Sequence, residues 1–427
     1  MMSQLFHPAP NFHGQLQVPG DKSISHRALL FAALADGATA IENLATGGDV
    51  AATARILRQL GVDVQLELER VTVHGKPLSQ WQSPKDPLDC GNSGTTMRLL
   101  TGVLAGANGL QATLTGDASL QKRPMLRIVE PLRAMGATVE LHDNRAPIVL
   151  RGQILHGVDH TLNIASAQVK TALLLAGLHA TGITRVREPV LSRDHTERML
   201  GAMAVQLQAN CAVTQTRLQS LGWLSVPGDP SSAAFLIAGA VLHRSGNIEI
   251  SQVCLNPTRL GFVRHLQKMG ADVGVDQLQV IAGEPVGVLR AKYGPLKAAD
   301  LTADDVPATL DELPILALCA AAAIGTSHFH GLAELRLKES DRLEQTANLL
   351  QMLGIQAEIV GDTLSVVGAG SANAFQGGHY AAGLDHRMAM TAAIAGICGG
   401  KSVAVADFDC VASSWPTFSK TVEILTT

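Results

Sequence analysis

Aromatic side chains make up only 3% of this 427-residue chain, so its cores must be built from Ala, Leu, Val, Ile and Met. No basic block or tail is present and the net charge is −4, which leaves no electrostatic footprint for nucleic acid. No two of the six cysteines form a CxxC pair, and none stands beside a histidine cluster. That argues against a structural zinc site and for reduced thiols in a cytoplasmic protein. The N-terminal MMSQLFHPAPNFHG lacks the charged start and apolar run of a signal peptide. The longest apolar stretch, Leu313 to Ile324, is too short to span a bilayer and predicts a buried helix instead. What remains is a soluble globular protein with neither a membrane nor a nucleic acid among its partners. Its length suggests two or three domains, and its 46% hydrophobic content is ample for their cores.

One pattern recurs along the chain. It reads LRQLGVDV at 57–64, LRAMGATV at 132–139, LGAMAVQL at 200–207, LQKMGADV at 266–273 and LQMLGIQA at 350–357. Each copy describes an amphipathic helix that ends, a glycine in the left-handed C-cap, and a strand that begins at once. Ala204 replaces the glycine in the third copy, so that turn is expected to differ. The copies start 75, 68, 66 and 84 residues apart, and FSKTVEIL near the C-terminus reads as a sixth helix. Helix–Gly–strand junctions are common, but five at similar spacing predict an α/β protein of six units in two lobes of three.

The lobe boundary is expected near VPGDPSSAAF at 226–235, where Pro227, Gly228 and Pro230 break regular structure and Ser231 or Ser232 can cap a helix. A similar break, VPGDKS, lies at 18–23, so two strands are expected to cross between lobes side by side. The predicted lobes are residues 21–227 and residues 1–20 plus 228–427.

Charged residues cluster at predicted helix starts. PGDKSISHRALLFAALADG at 19–37 puts Lys22, Ser23 and Arg27 at a helix N-terminus, where free N–H groups and the dipole favour an anion. A solvated cap is the plain alternative, but positive charge there has a cost unless a ligand offsets it. DCGNSGTTMRLLTG at 89–102 makes a small-residue loop at Asn92 and Gly94, open to close backbone approach. Lys122 and Arg123 precede Pro124, expected at a first helical position, and Arg123 reads as an anion clamp or a surface arginine. Ser166, Ala167 and Gln168 open another helix. Arg193, Asp194 and His195 follow, with Asp194–His195 either an acid–base pair or, more plainly, a cap beside a histidine. Asp311 and Glu312 stand at the edge of the most apolar helix, where partial desolvation favours a general base. Lys338, Glu339 and Arg342 begin a further helix, with an i,i+3 pair possible between the last two, and Arg387 begins another. GICGGKS at 396–402 imitates a phosphate loop but has Ala395 at the first glycine position. If each lobe gathers its helix starts on one face, these charges converge on a cleft suited to multiply charged anions.

Taken together, PGDKSISHR, GNSGTTMR, GDASLQKRPM, SAQVK, SRDHTERML, LDELP, LKESDRL and DHRMAM resemble the 5-enolpyruvylshikimate-3-phosphate (EPSP) synthase family in order along almost the whole chain. SAQVK and SRDHTERML resemble its class II branch. The resemblance implies two lobes of three βαβαββ units each, the enolpyruvyl transferase fold, an inside-out α/β barrel. It implies transfer of the enolpyruvyl group of phosphoenolpyruvate to the 5-hydroxyl of shikimate 3-phosphate in aromatic amino acid biosynthesis. No metal and no cofactor is implied, and a monomer is the family expectation.

By the same resemblance Lys22, Ser23, Arg27, Ser166, Ala167, Gln168, Arg193, Asp311 and Lys338 would hold shikimate 3-phosphate. Lys22, Asn92, Gly94, Arg123, Gln168, Arg342 and Arg387 would hold phosphoenolpyruvate. Asp311 would take the hydroxyl proton and Glu339 would deliver one to the methylene carbon, with Lys22 or Lys338 assisting. Ala167 stands where many relatives have a second serine, Ser413 where many have lysine, and Glu334 where asparagine is frequent. Gly94 is the small residue of inhibitor-sensitive forms, so glyphosate is expected to compete with phosphoenolpyruvate. The sister transferase acting on UDP-N-acetylglucosamine typically uses a loop cysteine, and Gly116 to Pro124 contains none. A non-catalytic anion binder on the same scaffold would not need Asp311 and Glu339 together.

Overall fold

The computed structural model describes residues 3–68, 70–205, 207 and 211–427. They form two compact units. One comprises Gly20–Val226 with Val280–Glu284; the other comprises the chain through Pro19, Pro227–Gln279 and Pro285–Thr427. The expected boundary had left 280–284 with the C-terminal lobe. Those residues group instead with Gly20–Val226, where Glu284 bonds His195 at 2.7 Å and the Gly283 carbonyl accepts from Arg198 Nη1 at 3.1 Å.

The first unit carries helices α1 (Lys22–Leu34), α2 (Gly48–Gln59), α3 (Gly94–Ala105), α4 (Leu126–Ala134), α5 (Ala167–Gly177) and α6 (His195–Ala202). The second carries α7 (Pro230–Leu242), α8 (Gly261–Lys268), α9 (Leu313–Ala321), α10 (Arg342–Met352), α11 (His386–Cys398) and α12 (Phe418–Thr426). They alternate between two kinds. The odd-numbered helices are apolar and buried along nearly their whole length: every residue of α9 and α11 is buried, as is α1 from Ile24 on. The even-numbered ones bury one side only, as α12 does with Phe418, Val422 and Leu425. A helix apolar all round must be enclosed, so the odd helices form the centre. Thus α3 packs on α1 and α5, and α7, α9 and α11 pack on one another. Approach is close: a Cβ on Gly102 of α3 would stand 2.2 Å from the Ala172 carbonyl oxygen of α5. Gly102→Val would therefore force these helices apart.

Three sheets accompany the helices of each unit among the described residues. In the first unit Asp63–Leu66, Arg70–Gly75 and Ala35–Glu42 pair antiparallel in that order, and Trp223–Ser225 joins Ala40–Glu42 in parallel. In the second, Asn247–Ser251 pairs in parallel with His13–Gln17. Each unit thus takes one strand of a repeat from a distant stretch of chain. Ser3–Phe6 does the same, pairing antiparallel with Val403–Ala406.

The helix ends match the repeated pattern. Gly61, Gly136, Gly270 and Gly354 all have φ between +79° and +98°. Ala204 adopts φ +62° without being glycine, so the third turn keeps the left-handed geometry and bears the cost of a Cβ. Gln206, within that copy, lies outside the described residues. Leu313–Ala321 is the buried helix expected, and the strand Ile324–Phe329 follows. No described helix is long and apolar enough to cross a membrane.

Candidate functional site

In the first unit Arg27, Arg98 and Arg123 each donate to neutral groups. Asp21 caps α1 by accepting from Ile24 N at 2.8 Å, which offsets the lysine that follows it. Lys22 begins the helix, its Nζ 3.2 Å from Asp49 Oδ2. Arg27 is only 2% exposed. Its Nε donates to Thr196 Oγ1 (2.8 Å), Nη2 to Thr171 Oγ1 (2.7 Å) and Nη1 to the Ser23 carbonyl (2.9 Å). Burial, opposed by Glu197 and Asp21, lowers the Arg27 pKa to about 10, so it stays charged at neutral pH. Arg27 thus ties α1 to α5 and α6 and is more deeply set than a surface clamp.

His26 beside it is wholly buried, and its Nδ1 lies 2.8 Å from Thr53 Oγ1. Burial first, then Lys22 and Arg27, press its pKa down to about 3, leaving a neutral imidazole. Thr53 Oγ1 meets Thr96 Oγ1 at 2.8 Å, and Thr96 donates to Ser93 Oγ at 2.7 Å. Ser93 in turn caps α3 through Thr96 N. Neutral groups therefore lace the starts of α1 and α3 together through α2.

At the start of α3, Asn92 Nδ2 donates to Asp117 Oδ2 (2.7 Å) and Asn92 Oδ1 accepts from Arg123 Nη2. Gln168, on the first turn of α5, accepts from Arg98 Nη1 and donates to Thr95 Oγ1 at 2.9 Å. A Cβ on Gly94 would meet Arg98 Nη1 at 3.0 Å and Arg123 Nη1 at 3.3 Å. Asn92, Gly94, Arg98, Arg123 and Gln168 are thus one cluster. Arg98 was given no role from sequence, although GNSGTTMR contains it one turn after Gly94. Pro124 does not start the helix that was expected there. The chain passes through a 3-10 turn at Leu120–Lys122, and α4 begins at Leu126.

Ser166 caps α5 through Val169 N, and Ala167 is its first residue. Inside the same helix Lys170 is fully buried between Glu188 (2.9 Å) and Glu197 (2.6 Å). Burial alone would lower its pKa, but the two glutamates raise it. Arg193 is half-buried just ahead of α6. Asp194 does not make the side-chain cap expected of it: its carboxylate takes Arg198 Nε at 2.9 Å. His195 Nδ1 lies 2.7 Å from Glu284 Oε1.

The second unit sets its cations among carboxylates. Arg342, first residue of α10 and 1% exposed, donates from Nε to Asp385 Oδ2 at 2.8 Å, from Nη2 to Glu339, and from Nη1 to Asp311 Oδ1 at 3.3 Å. Burial opposes its charge, but Asp385, Glu339 and Asp311 outweigh it and raise its pKa. Burial likewise works against the charge of Asp385, yet Arg342 holds its pKa below the usual carboxylate value. Asp385 also caps α11 by accepting from Arg387 N at 3.0 Å. Lys338 Nζ stands 3.5 Å and Arg387 Nη2 3.7 Å from the Asp311 carboxylate. Asp311 lies at the edge of the apolar helix α9 with its side chain 15% exposed, and it also sits among three cations. Asp311, Lys338, Glu339, Arg342 and Arg387 thus form one cluster, to which Asp385 must be added. Ser413 Oγ donates to the carbonyl of Cys410 within its own turn at 2.7 Å, and Glu334 lies in the 3-10 turn Ala333–Leu337.

Each unit's cluster can bind anions; that of the second unit adds carboxylates held beside cations, which suits proton transfer as well as binding. Comparison with known proteins agrees with this chemistry. The sequence pattern of EPSP synthase (3-phosphoshikimate 1-carboxyvinyltransferase) matches residues 7–422. The chain is similar to the 3-phosphoshikimate 1-carboxyvinyltransferase of Gloeobacter violaceus, 45% identical over 96% of either chain. It is also similar to that of Legionella pneumophila, 41% identical over all of this chain and 98% of the other. Among solved structures, EPSP synthase from Acinetobacter baumannii superposes with a TM-score of 0.88 at 38% identity, over 99% of this chain and 98% of that one. The enolpyruvyl transferase NikO from Streptomyces tendae shares the fold, with a TM-score of 0.79 at 19% identity over 99% and 97%.

Proposed function

The chain belongs to the EPSP synthase family, and from that premise we propose the following assignment of its residues. The reaction moves the enolpyruvyl group of phosphoenolpyruvate to the 5-hydroxyl of shikimate 3-phosphate and releases phosphate, a step of the shikimate pathway. The observation that carries the assignment is the cluster of Asp311 and Glu339 around Arg342, with Lys338 and Arg387 beside Asp311.

Asp311 takes the proton of the 5-hydroxyl as its oxygen attacks C2 of phosphoenolpyruvate, and Glu339 gives a proton to C3. The product is a tetrahedral intermediate bearing both groups on C2. Loss of a C3 proton then restores the double bond as the C2–O bond to phosphate breaks. Lys22 or Lys338 assists these transfers. Arg123, Arg342 and Arg387 hold phosphoenolpyruvate, with Asn92, Gly94, Gln168 and Lys22. Lys22, Ser23, Arg27, Ser166, Ala167, Gln168, Arg193 and Lys338 hold shikimate 3-phosphate, with Asp311 at its 5-hydroxyl. Removing one well-placed acid or base typically costs about 10²- to 10⁴-fold in rate, which sets the scale for each carboxylate.

The forms SAQVK and SRDHTERML favour the class II branch. Six free cysteines among the described residues favour a reducing, cytoplasmic setting, and the chain is assigned as a monomer. Gly94 leaves room beside Arg98 and Arg123, so glyphosate is expected to inhibit and phosphoenolpyruvate to relieve it. Phosphate release from phosphoenolpyruvate tests the whole assignment. Release should require shikimate 3-phosphate and should not occur with UDP-N-acetylglucosamine. Folded protein that releases none with shikimate 3-phosphate would overturn it.

A further inference from the structure

Glu312 directly follows Asp311, yet it is only 1% exposed. A buried carboxylate is costly unless it is paired and hydrogen-bonded. A helix-capping role does not account for it, because no side-chain cap bond is made at the start of α9. Its Oε1 instead accepts from Ser231 Oγ and lies 3.8 Å from Arg387 Nη1. That same Nη1 donates to the Asp311 carbonyl at 3.0 Å.

Ser231 is itself fixed. Its Oγ accepts from Arg259 Nη2 at 2.8 Å, and Arg259 Nη2 also donates to Asp229 Oδ1 at 2.9 Å. Asp229 Oδ1 accepts from Ser231 N at 2.8 Å, capping α7, and Asp229 N donates to the Pro19 carbonyl at 2.9 Å. Asp229, Ser231, Arg259 and Glu312 are all buried, as is Arg387. The series starts where the chain leaves this unit at Pro19 and re-enters it at Pro227, and it ends on Arg387.

We propose that Glu312 is a positioning residue for Arg387. Its carboxylate, oriented by Ser231, holds the Arg387 guanidinium in the attitude that receives phosphoenolpyruvate. The inference rests on Arg387 being a phosphoenolpyruvate ligand, as assigned above. Hydroxyl, guanidinium and carboxylate make a rigid support because each is held by more than one contact. Phosphoenolpyruvate affinity should therefore depend on Glu312 more than shikimate 3-phosphate affinity does.

Glu312→Gln keeps the volume and the bond from Ser231 but removes the charge facing Arg387. In steady-state kinetics on the full chain, KM for phosphoenolpyruvate should rise roughly five- to twentyfold, with kcat and KM for shikimate 3-phosphate within about threefold; loss of binding made equally in ground and transition states has that form. Ser231→Ala, which leaves the charge but frees the carboxylate, should give a smaller rise in the same constant and serves if Glu312→Gln does not fold. Thermal melts run alongside separate this from a structural role, which would lower Tm without splitting the two KM values. Unchanged KM for phosphoenolpyruvate, or equal changes in both, in folded variants of an active wild type would overturn the proposal. An inert wild type would instead overturn the assigned reaction. Calorimetric titration with phosphoenolpyruvate, with shikimate 3-phosphate present, then decides the Glu312 role without turnover: a weaker affinity in Glu312→Gln supports it, and equal affinity or no binding to wild type refutes it.

Discussion

The hydrogen bonds of the arginines differ between the clusters of the two units. In the Gly20–Val226 unit Arg27 donates to two threonine hydroxyls and a carbonyl, Arg98 to a glutamine and Arg123 to an asparagine. In the other unit Arg342 lies against Asp385, Glu339 and Asp311, and Arg387 against Asp311 and Glu312. Neutral hydrogen-bond partners fix a guanidinium and leave its charge to more distant groups, which for Arg27 include Glu197 and Asp21. Carboxylate partners cancel the charge beforehand and are themselves bases. The first arrangement suits binding, and the second suits proton movement in a site that must still accept an anion. Lys22 and Arg198 do face carboxylates in the first unit, as does Lys170, which is fully buried between Glu188 and Glu197 and bridges elements.

The largest expected effect lies on the carboxylate side. Asp311→Asn should lower kcat by about 10²- to 10⁴-fold, the range for loss of a general base. KM for either substrate should move by only a few-fold. A variant that instead lost affinity and kept kcat would make Asp311 a binding group and erase the distinction between the halves.

Stability gives the next comparison. Arg342→Ala strands buried Asp385 and its neighbours, and breaking a buried ion pair from one side costs about 3–5 kcal/mol. Arg27→Ala strands hydroxyls instead, at about 1–3 kcal/mol. Urea unfolding of both variants measures the difference. Equal losses would mean that the charge of the partners is immaterial. On the binding side, Gly94→Ala places a methyl 3.0 Å from Arg98 and 3.3 Å from Arg123. Both contacts are the mobile ends of long side chains, so the strain is near the low end of about 1–3 kcal/mol. KM for phosphoenolpyruvate should rise about tenfold, the equivalent of roughly 1.4 kcal/mol, with kcat nearly unchanged.

Local chemistry explains which parts of this arrangement sequence reveals. The repeat is visible because a helix followed at once by a strand needs a left-handed residue, and Gly61, Gly136, Gly270 and Gly354 provide one. Ala204 shows where such reasoning stops, since it takes φ +62° with a Cβ in place. The clustering of charged groups is another matter. Arg387 meets the Asp311 carbonyl across 76 residues, and no periodicity reports such a distance. Resemblance supplied the roles of Glu339, Arg342 and Arg387; the residues alone offered a general-base reading of Asp311 and otherwise caps with charges nearby. Asp385 was passed over because a carboxylate at a helix start reads as a cap, and Glu312 was noticed only as a carboxylate beside Asp311. Arg98 was missed because an arginine one turn into a helix reads as surface.

The last expected effect concerns His26, and it tests the first unit by its acid response. In the folded chain its pKa lies at about 3, against 6.5 for an ordinary histidine, through burial and then the nearby Lys22 and Arg27, with Asp21 opposing. As pH falls below 6.5 the unfolded chain takes up this proton and the folded chain does not. The stability contributed is therefore complete above pH 6.5 and drains away down to about pH 3, by at most about 1.4 kcal/mol per pH unit. Asp385 has the opposite chemistry but the same sign. Its depressed pKa keeps its contribution intact above the ordinary carboxylate value and loses it only below, so it is silent between pH 4.5 and 6.5. His179 and His265, lowered to about 4 by burial, leave a residual slope in any variant. His26→Asn should therefore flatten, not abolish, the fall in unfolding free energy between pH 6.5 and 4.5, at the cost of a modest loss at pH 7.5. Parallel acid limbs for the variant and the wild type would mean that His26 is protonated in the folded chain. The lacing of α1 to α3 through Thr53, Thr96 and Ser93 would then rest on a charged group, and the contrast between neutral and ionic halves would fail at its most buried point.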